Sequence, residues 1–228
     1  MMYRSEIKFI INKYQMEIIK NNINGVMQRD INSSGDGSYF IRSLYFDDFN
    51  DTSYKQVLDG ISKREKYRIR YYNYDSSFIR FENKIKRNNM NKKDTAKINK
   101  EEVINIIKNE DFSGENELLK LFKTKVKTKL YKPKVIIDYN RDAYIYRAGN
   151  VRVTFDYNLT CSYETDKFFE KNINCIPILE KNQIILEVKY DEFLPNYIRQ
   201  LLNIDNIEMT SFSKYANGRT ILEQIKGV

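Results

Sequence analysis

The chain has 228 residues, of which 41% are hydrophobic and 14% aromatic, so it can bury a core and is not disordered. Its formal net charge of +8 favours an acidic partner, which could be nucleic acid, a membrane surface or a phosphate metabolite. Histidine is absent and the only cysteines are Cys161 and Cys175, which excludes a Cys/His zinc site, a histidine general base and a Ser-His-Asp triad.

Strand patterns dominate the first half of the chain. Asn12 is a candidate N-cap for a helix over 12–27, in which apolar residues recur at helical spacing. The polar run 75–77 predicts a hairpin turn, and the Gly- and Ser-rich stretch 33–38 predicts a loop. The predicted strands are Tyr3–Ile11, Tyr39–Phe46, Lys66–Tyr74 and Phe78–Lys86, with a short helix over Thr52–Leu58.

The second half opens with the lysine-rich segment Asn88–Ala96, which predicts a solvated loop. Asn99, followed three residues later by Glu102, predicts a capping box at the start of a helix over Lys100–Lys108. Further helices are predicted over Asn116–Thr128, Pro195–Leu202 and Lys214–Lys226, and further strands at Lys134–Ala143, Val151–Asp156 and Ile184–Tyr190. The expected architecture is α+β, with one antiparallel sheet of about eight strands and a single domain over 1–228.

Charged residues recur at alternate positions along these strands. Residues i and i+2 of a strand share a face, and the intervening residues here are often apolar. The clearest pairs are Glu6 and Lys8, Arg68 and Arg70, Glu82 and Lys84, and Glu187 and Lys189. A single pair of this kind is most simply a solvated sheet face. Together, the arginine content and the number of strands favour a closed barrel with charges inside, which an anion and metal ions must neutralise.

Eight short segments carry a more specific signal, and they follow one another in the order found in a known family. They are Glu6–Lys8, Ile41–Asp47, Lys66–Tyr72, Glu82–Lys84, Pro133–Arg141, Val151–Asp156, Glu187–Tyr190 and Ser211–Tyr215. The series resembles the VTC domain, the polyphosphate polymerase module of the vacuolar transporter chaperone complex and of its bacterial relatives. That resemblance implies the triphosphate tunnel metalloenzyme fold, a closed antiparallel β-barrel that forms a basic tunnel for triphosphate and a divalent metal.

The resemblance also implies roles for individual residues. Its expected phosphate ligands are Lys8, Arg68, Arg70, Lys84, Arg152, Lys189 and Lys214, with Ser213 as a hydroxyl contact. Glu187 is the expected carboxylate ligand of Mn²⁺ or Mg²⁺. Arg42, Lys86 and Arg141 are further substrate-binding candidates. The wider superfamily often begins with Glu-x-Glu-x-Lys, whereas this chain has Arg4 at the first position, which leaves Glu6 as an uncertain metal ligand and favours the polymerase branch.

The resulting hypothesis is an ATP-dependent polyphosphate polymerase in which Arg68, Arg70, Lys84, Arg152 and Lys189 act on the transferred phosphate. A triphosphatase on the same fold and a non-catalytic binder of polyphosphate are the alternatives. Nucleic-acid binding is disfavoured because Lys86–Lys97 lacks interleaved aromatic residues. No apolar run approaches the ~18 residues of a membrane span, so a cytoplasmic location without membrane insertion is expected.

Overall fold

Ten β-strands and six α-helices make up the computed structural model, which describes residues 4–30, 37–88, 90–112 and 116–227. The strands are β1 Arg4–Asn12, β2 Gln28–Arg29, β3 Ser38–Asp47, β4 Lys63–Tyr72, β5 Asp75–Arg87, β6 Met90–Ile98, β7 Lys132–Tyr146, β8 Val151–Ser162, β9 Ile176–Pro177 and β10 Gln183–Tyr190. The helices are α1 Lys13–Ile23, α2 Thr52–Leu58, α3 Lys100–Lys108, α4 Glu117–Lys129, α5 Asn196–Leu201 and α6 Lys214–Lys226. Most of the loop predicted at 33–38 lies outside the described residues.

Eight of the strands close into a ring. Their order is β7-β3-β4-β5-β6-β1-β10-β8, each pairing is antiparallel, and β8 pairs again with β7. The two-residue strands β2 and β9 extend this sheet at β7 and β8. The predicted α+β class and the predicted large antiparallel sheet of about eight strands are therefore confirmed.

The ring has one weak seam, between β1 and β6. These strands share only the pairs Arg4 with Asn91 and Ser5 with Met90. Farther along β1, residues 209 and 210 take the place of β6, because Phe9 forms an isolated bridge with Met209 and the Thr210 amide donates to the Lys8 carbonyl at 2.8 Å. This contact leads the chain into the ring just before α6 begins.

The outer face of the ring carries the apolar side chains that the strand alternation predicts. Helices α3 and α4 cover β4, β5 and β6, where Ile69, Phe81 and Phe122 are fully buried in one cluster. Helices α1 and α5 cover β1, β8 and β10 around a second cluster that contains Phe155 and Leu186. With apolar residues directed outward under helices, the polar residues of the same strands face the interior.

Helix α6 packs against the inner face of the ring. Gly218 allows this close approach, because a Cβ added there would lie 2.5 Å from Ile137 Cδ1 and 3.2 Å from Cys161 Cβ. Ile137 and Cys161 are register partners on β7 and β8, and both belong to a third apolar cluster, with Phe212 and Tyr215. The helix therefore fills part of the interior and leaves the remainder open.

Several helix boundaries agree with local sequence signals. Asn12 and Asn99 both form complete capping boxes, with Gln15 and Glu102 respectively. The bounds of α2, α3 and α6 agree with their predicted ranges. Among the described helices, none is long and apolar enough to cross a membrane.

Two predictions about β4 to β6 are wrong. The segment predicted as a solvated loop forms β6, which pairs with β5 from Ile79–Ile98 to Arg87–Met90. The turn before β5 falls at Asn73 and Tyr74, both with positive φ, rather than at 75–77, which belongs to β5. Asn adopts this left-handed conformation readily, whereas Tyr does so only rarely, so the composition gave a poor signal for the turn.

Candidate anion-binding cavity

The open part of the ring interior is a cavity of about 630 Å³. It is lined by residues of β1, β3, β4, β5, β6, β7 and β10, and by the segment that leads into α6. The lining cations are Lys8, Arg64, Lys66, Arg68, Arg70, Lys84, Lys86, Arg141, Lys189 and Lys214. Within the described part of the chain, the acidic residues that line it are Glu6 and Glu187. Ten cations against two carboxylates give an excess of positive charge that a polyanion would neutralise.

Two further carboxylates, Glu82 and Asp156, lie behind this lining and are fully buried. Glu82 on β5 accepts from Arg68 Nε at 2.6 Å and from Lys93 Nζ at 2.8 Å. Burial opposes ionisation of Glu82, but the positive charges of Arg68, Arg70 and Lys93 hold its pKa well below the usual value. The carboxylate thus fixes Arg68 while leaving the cavity with a cationic surface.

The β4 strand brings Arg68 and Arg70 to the same face, as their spacing predicts. Arg68 also donates to the Tyr45 hydroxyl at 3.0 Å. Arg70 forms no direct ion pair with a carboxylate among the described residues, and donates to Ser43 Oγ at 2.9 Å and to the Tyr139 hydroxyl at 2.8 Å. Neutral oxygen atoms orient this guanidinium without neutralising it, so its charge remains available to an anion.

Glu6 and Glu187 lie on the neighbouring strands β1 and β10, among lysines. Lys8 Nζ lies 3.0 Å from Glu6 and 3.6 Å from Glu187, and Lys189 also contacts both carboxylates. Lys84 Nζ lies 2.9 Å from Glu6. Burial raises the pKa of Glu6 and of Glu187, but the surrounding lysines reverse this effect and keep both carboxyls ionised.

Arg141 and Lys214 share one buried carboxylate at the far side of the cavity. Arg141 donates to Asp156 at 2.6 and 2.7 Å, and Lys214 Nζ lies 2.6 Å from the same carboxylate. Burial opposes the charge on Asp156, but the two cations lower its pKa to about 2. Asp156 therefore faces the interior as the partner of an arginine and a lysine.

Ser213 is the N-cap of α6, and it places Lys214 at the helix start inside the ring. Its hydroxyl accepts from the Ala216 amide at 3.3 Å and from Lys66 Nζ at 3.0 Å. Lys66 and Arg64 line the cavity but were not among the predicted ligands. The alternation that selected Arg68 and Arg70 continues back through both residues, so the signal was present in the sequence.

The sequence profile of the VTC domain matches residues 3–223. The chain belongs to the VTC domain family. No curated protein sequence matches it significantly. Among solved structures, a putative adenylate cyclase from Bacillus halodurans superposes with a TM-score of 0.56 and 12% identity, over 93% of this chain and 94% of that chain. A protein from Pyrococcus horikoshii OT3 gives a TM-score of 0.50 and 12% identity, over 97% and 99% of the two chains.

Both structures share the fold of this chain over nearly its whole length. At 12% identity the likeness concerns the fold alone. The cavity described above occupies the interior of that fold.

Eleven of the thirteen predicted site residues of this VTC domain line the cavity. They are Glu6, Lys8, Arg68, Arg70, Lys84, Lys86, Arg141, Glu187, Lys189, Ser213 and Lys214. The structure does not bring Arg42 and Arg152 into this group.

Arg42 requires a correction, because it points away from the interior. It shares its face of β3 with Leu44 and Phe46, which pack in the outer cluster. Its guanidinium forms a bidentate pair with Asp138 at 2.9 and 2.8 Å and donates to the Phe168 carbonyl. Arg42 is only 1% exposed, and these contacts indicate a structural residue that fixes the segment around Phe168 on the ring.

Arg152 lies on the inner face of β8 but outside the described cavity lining. Its guanidinium lies 2.6 Å from the buried carboxylate of Asp30 and donates to the Tyr39 hydroxyl at 3.1 Å. This ion pair satisfies the charge of Arg152 within the protein. The prediction that Arg152 acts on the transferred phosphate therefore has no support from the geometry.

The cavity provides few protein ligands for a metal ion. No group of three or more His, Cys, Asp or Glu residues that could hold a metal occurs in the described part of the chain. Mg²⁺ and Mn²⁺ nevertheless bind through one or two carboxylates when phosphate and water oxygens complete the shell, and Glu6 with Glu187 provide two. Thr154, the register partner of Glu187, has a buried hydroxyl without a hydrogen-bond partner among the described residues. This oxygen donor set fits a cation that arrives with its phosphate ligand.

Proposed function

We propose that this VTC domain is a polyphosphate polymerase that transfers the γ-phosphoryl group of ATP to the end of a growing phosphate chain. The observation that carries the proposal is the cavity inside the ring, with ten cations and two carboxylates at its surface. Family membership supports the same substrate class. A phosphate chain is a flexible polyanion, and cations from five strands and from α6 would contact it without requiring a particular base sequence or protein partner.

Phosphoryl transfer depends on positioning and on positive charge more than on a nucleophilic side chain. Arg68 and Arg70, held by Glu82, Tyr45 and Ser43, are the rigid donors in this proposal. Guanidinium groups bind phosphate oxygens in a bidentate manner, so a fixed orientation limits the reacting phosphate to one geometry. These residues would align donor and acceptor phosphates for an in-line transfer.

Lysines supply the adaptable part of the cavity. Lys8, Lys84 and Lys189 contact Glu6 or Glu187, and each ammonium can exchange one carboxylate oxygen for a phosphate oxygen. Burial and the charges of Lys8 and Lys189 lower the pKa of Lys84 to about 8, although Glu6 opposes that shift. The lysines would follow the phosphate chain as it advances by one unit after each transfer.

Glu6 and Glu187 would hold Mg²⁺ or Mn²⁺ together with phosphate oxygens, and such an ion supplies positive charge to the transferred group. The two carboxylates have a second task within the chain itself. They keep Lys8 and Lys189 in place before the substrate enters. Their ionised state is compatible with both tasks.

Incubation of the purified protein with ATP and Mn²⁺ or Mg²⁺ tests the proposal. Gel electrophoresis and phosphate release then distinguish the products, and we expect phosphate polymer together with ADP. Free phosphate without polymer would contradict the polymerase and indicate a triphosphatase, since the same cavity can direct water instead of phosphate to the reaction. Binding of polyphosphate without metal-dependent turnover would indicate a non-catalytic binder, and a cyclic nucleotide product would also contradict the proposal.

A further inference from the structure

Lys66 differs from most of the lysines that line the cavity. Lys8, Lys84, Lys189 and Lys214 each lie within 4.0 Å of a carboxylate. Lys66 is half-buried and forms no ion pair with any described carboxylate, and its ammonium nitrogen donates to Ser213 Oγ at 3.0 Å. Lys86 also lacks such a pair, but it follows farther along β5, at the level of Arg64.

The groups around Lys66 are mainly cationic. Lys84 is its register partner on β5, and Lys8 approaches from β1. Arg64 precedes it and Arg68 follows it on the same face of β4. Glu6 on β1 opposes these charges at Lys66, and Ser213 and Lys214 approach from α6. An additional positive charge at this position is therefore costly until an anion arrives.

The ionisation of Lys66 agrees with this geometry. Burial lowers its pKa, the charges of Lys84, Lys8 and Arg64 lower it further, and the result lies well below the usual value of a lysine. In the free protein, the neutral amine of Lys66 is therefore favoured more strongly than that of an ordinary lysine. A phosphate oxygen beside the amine would favour the charged form.

We propose that Lys66 is a further phosphate ligand and that it takes up a proton from solvent when a phosphate chain enters the cavity. The inference rests on the proposed function only in requiring that the cavity bind a polyanion. Turnover and polymer synthesis are not needed for it. Lys66 contacts Ser213, the N-cap of α6. A phosphate bound at Lys66 would therefore lie between the β4 cations and Lys214.

The direction of the linkage follows from the two states of the amine. The anion raises the proton affinity of Lys66. At a pH between the pKa of Lys66 in the free protein and its pKa in the bound protein, Lys66 therefore takes up a proton on binding. Affinity for the anion falls as pH rises through that interval. An arginine at this position stays charged throughout, so it would retain binding and lose this proton uptake.

Isothermal titration calorimetry with inorganic tripolyphosphate tests the proposal without catalysis or added metal. Titrations of the full chain in buffers of different ionisation enthalpy, over a series of pH values, give the number of protons taken up. We expect uptake in the wild type, a clear loss of uptake with retained affinity in Lys66→Arg, and an affinity lower by about tenfold or more in Lys66→Met. The arginine variant separates this role from a merely structural one.

Lys84→Arg is the matched control, because Lys84 pairs with Lys66 across the two strands. We expect that variant to retain a substantial part of the uptake. Undiminished uptake in Lys66→Arg would overturn the inference, and its disappearance in Lys84→Arg would assign the proton to Lys84. If tripolyphosphate does not bind at all, the proposed function fails together with the inference, whereas binding without Lys66-dependent uptake overturns the inference alone.

Discussion

Arg141 and Arg42 lie on neighbouring strands of the ring, and each forms a bidentate pair with a buried aspartate. Arg42, on the outer face, has Asp138 largely to itself, and burial raises the pKa of that carboxyl although the hydrogen bonds from Arg42 oppose the shift. Arg141, on the inner face, shares Asp156 with Lys214, and these two cations lower the pKa of the carboxyl despite its burial.

The difference lies in the charge balance around each pair. The outer pair is balanced and closed by backbone carbonyls, so it holds two parts of the fold together. The inner pair leaves a surplus cation facing a cavity, so it can receive an external anion. A buried arginine beside an aspartate therefore indicates a binding site only when the neighbouring groups leave positive charge uncompensated.

The largest expected effect concerns the outer pair. Arg42→Ala leaves Asp138 buried without its partner, which typically costs about 3–5 kcal/mol in the free energy of unfolding. Urea denaturation measures this loss, and the catalytic rate of the folded fraction should stay near the wild-type value. A double variant with Arg42→Met and Asp138→Leu should recover much of the stability. A stable Arg42→Ala protein that has lost phosphate binding would show that Arg42, on the outer face, serves binding and not stability.

The inner face should respond in the opposite way. Arg70→Ala removes a guanidinium that no described carboxylate neutralises, so stability should change little. Loss of one transition-state contact of this kind typically costs about 3–4 kcal/mol, or roughly two to three orders of magnitude in rate. Polymer synthesis and the thermal unfolding midpoint are measured on the same preparation. Near-normal turnover would refute the role of Arg70.

Glu187→Gln separates the two tasks of the acidic residues. The substitution keeps the shape but removes the negative charge that contacts Lys8 and Lys189. We expect metal-dependent turnover to fall by about two orders of magnitude, while tripolyphosphate binding without metal becomes tighter. Calorimetry and the polymer assay check the two directions. Weaker tripolyphosphate binding together with lower turnover would show that Glu187 supports the fold of the cavity instead.

The smallest expected effect tests how α6 is held inside the ring. Tyr215 donates to the buried Asp47 carboxylate at 2.6 Å and accepts from Arg219 at 3.1 Å. Tyr215→Phe removes these bonds at a cost of about 1–2 kcal/mol in the free energy of unfolding, because the Ser53 and Tyr54 amides still donate to Asp47. Thermal unfolding measures the cost. A larger loss of activity than of stability would indicate that Tyr215 positions Lys214.

Much of the fold was accessible from the sequence because its local signals are strong. Capping residues such as Asn99 and apolar alternation in β4 and β10 act over a few residues, so they predict local structure without knowledge of distant contacts. β6 was missed for a physical reason. Its inner residues face a polar interior, and on its outer face only Ala96 and Ile98 are buried, so neither side shows a hydrophobic pattern.

Site residues were predicted correctly where apolar alternation showed which face of the strand they share. Arg68 and Arg70 alternate with the buried Tyr67 and Ile69, which determines their face. Arg42 is in phase with Leu44, but Ile41 and Tyr45 on the other face of β3 are apolar and buried too, so alternation alone does not determine its direction. Arg152 has the correct phase, but its partner Asp30 lies more than a hundred residues away, and no local pattern encodes that ion pair.

The position of Gly218 has a consequence for the size of the cavity. Its missing methyl group lets α6 approach Ile137 and Cys161, and the depth to which this helix is seated determines how far Ser213 and Lys214 reach toward β4. The spacing between β4 and the start of α6, where proposed phosphate ligands lie, thus depends on an apolar contact outside the cavity lining. A bulkier residue at position 218 would clash with Ile137 and Cys161 and displace the helix, which would change the width of the cavity.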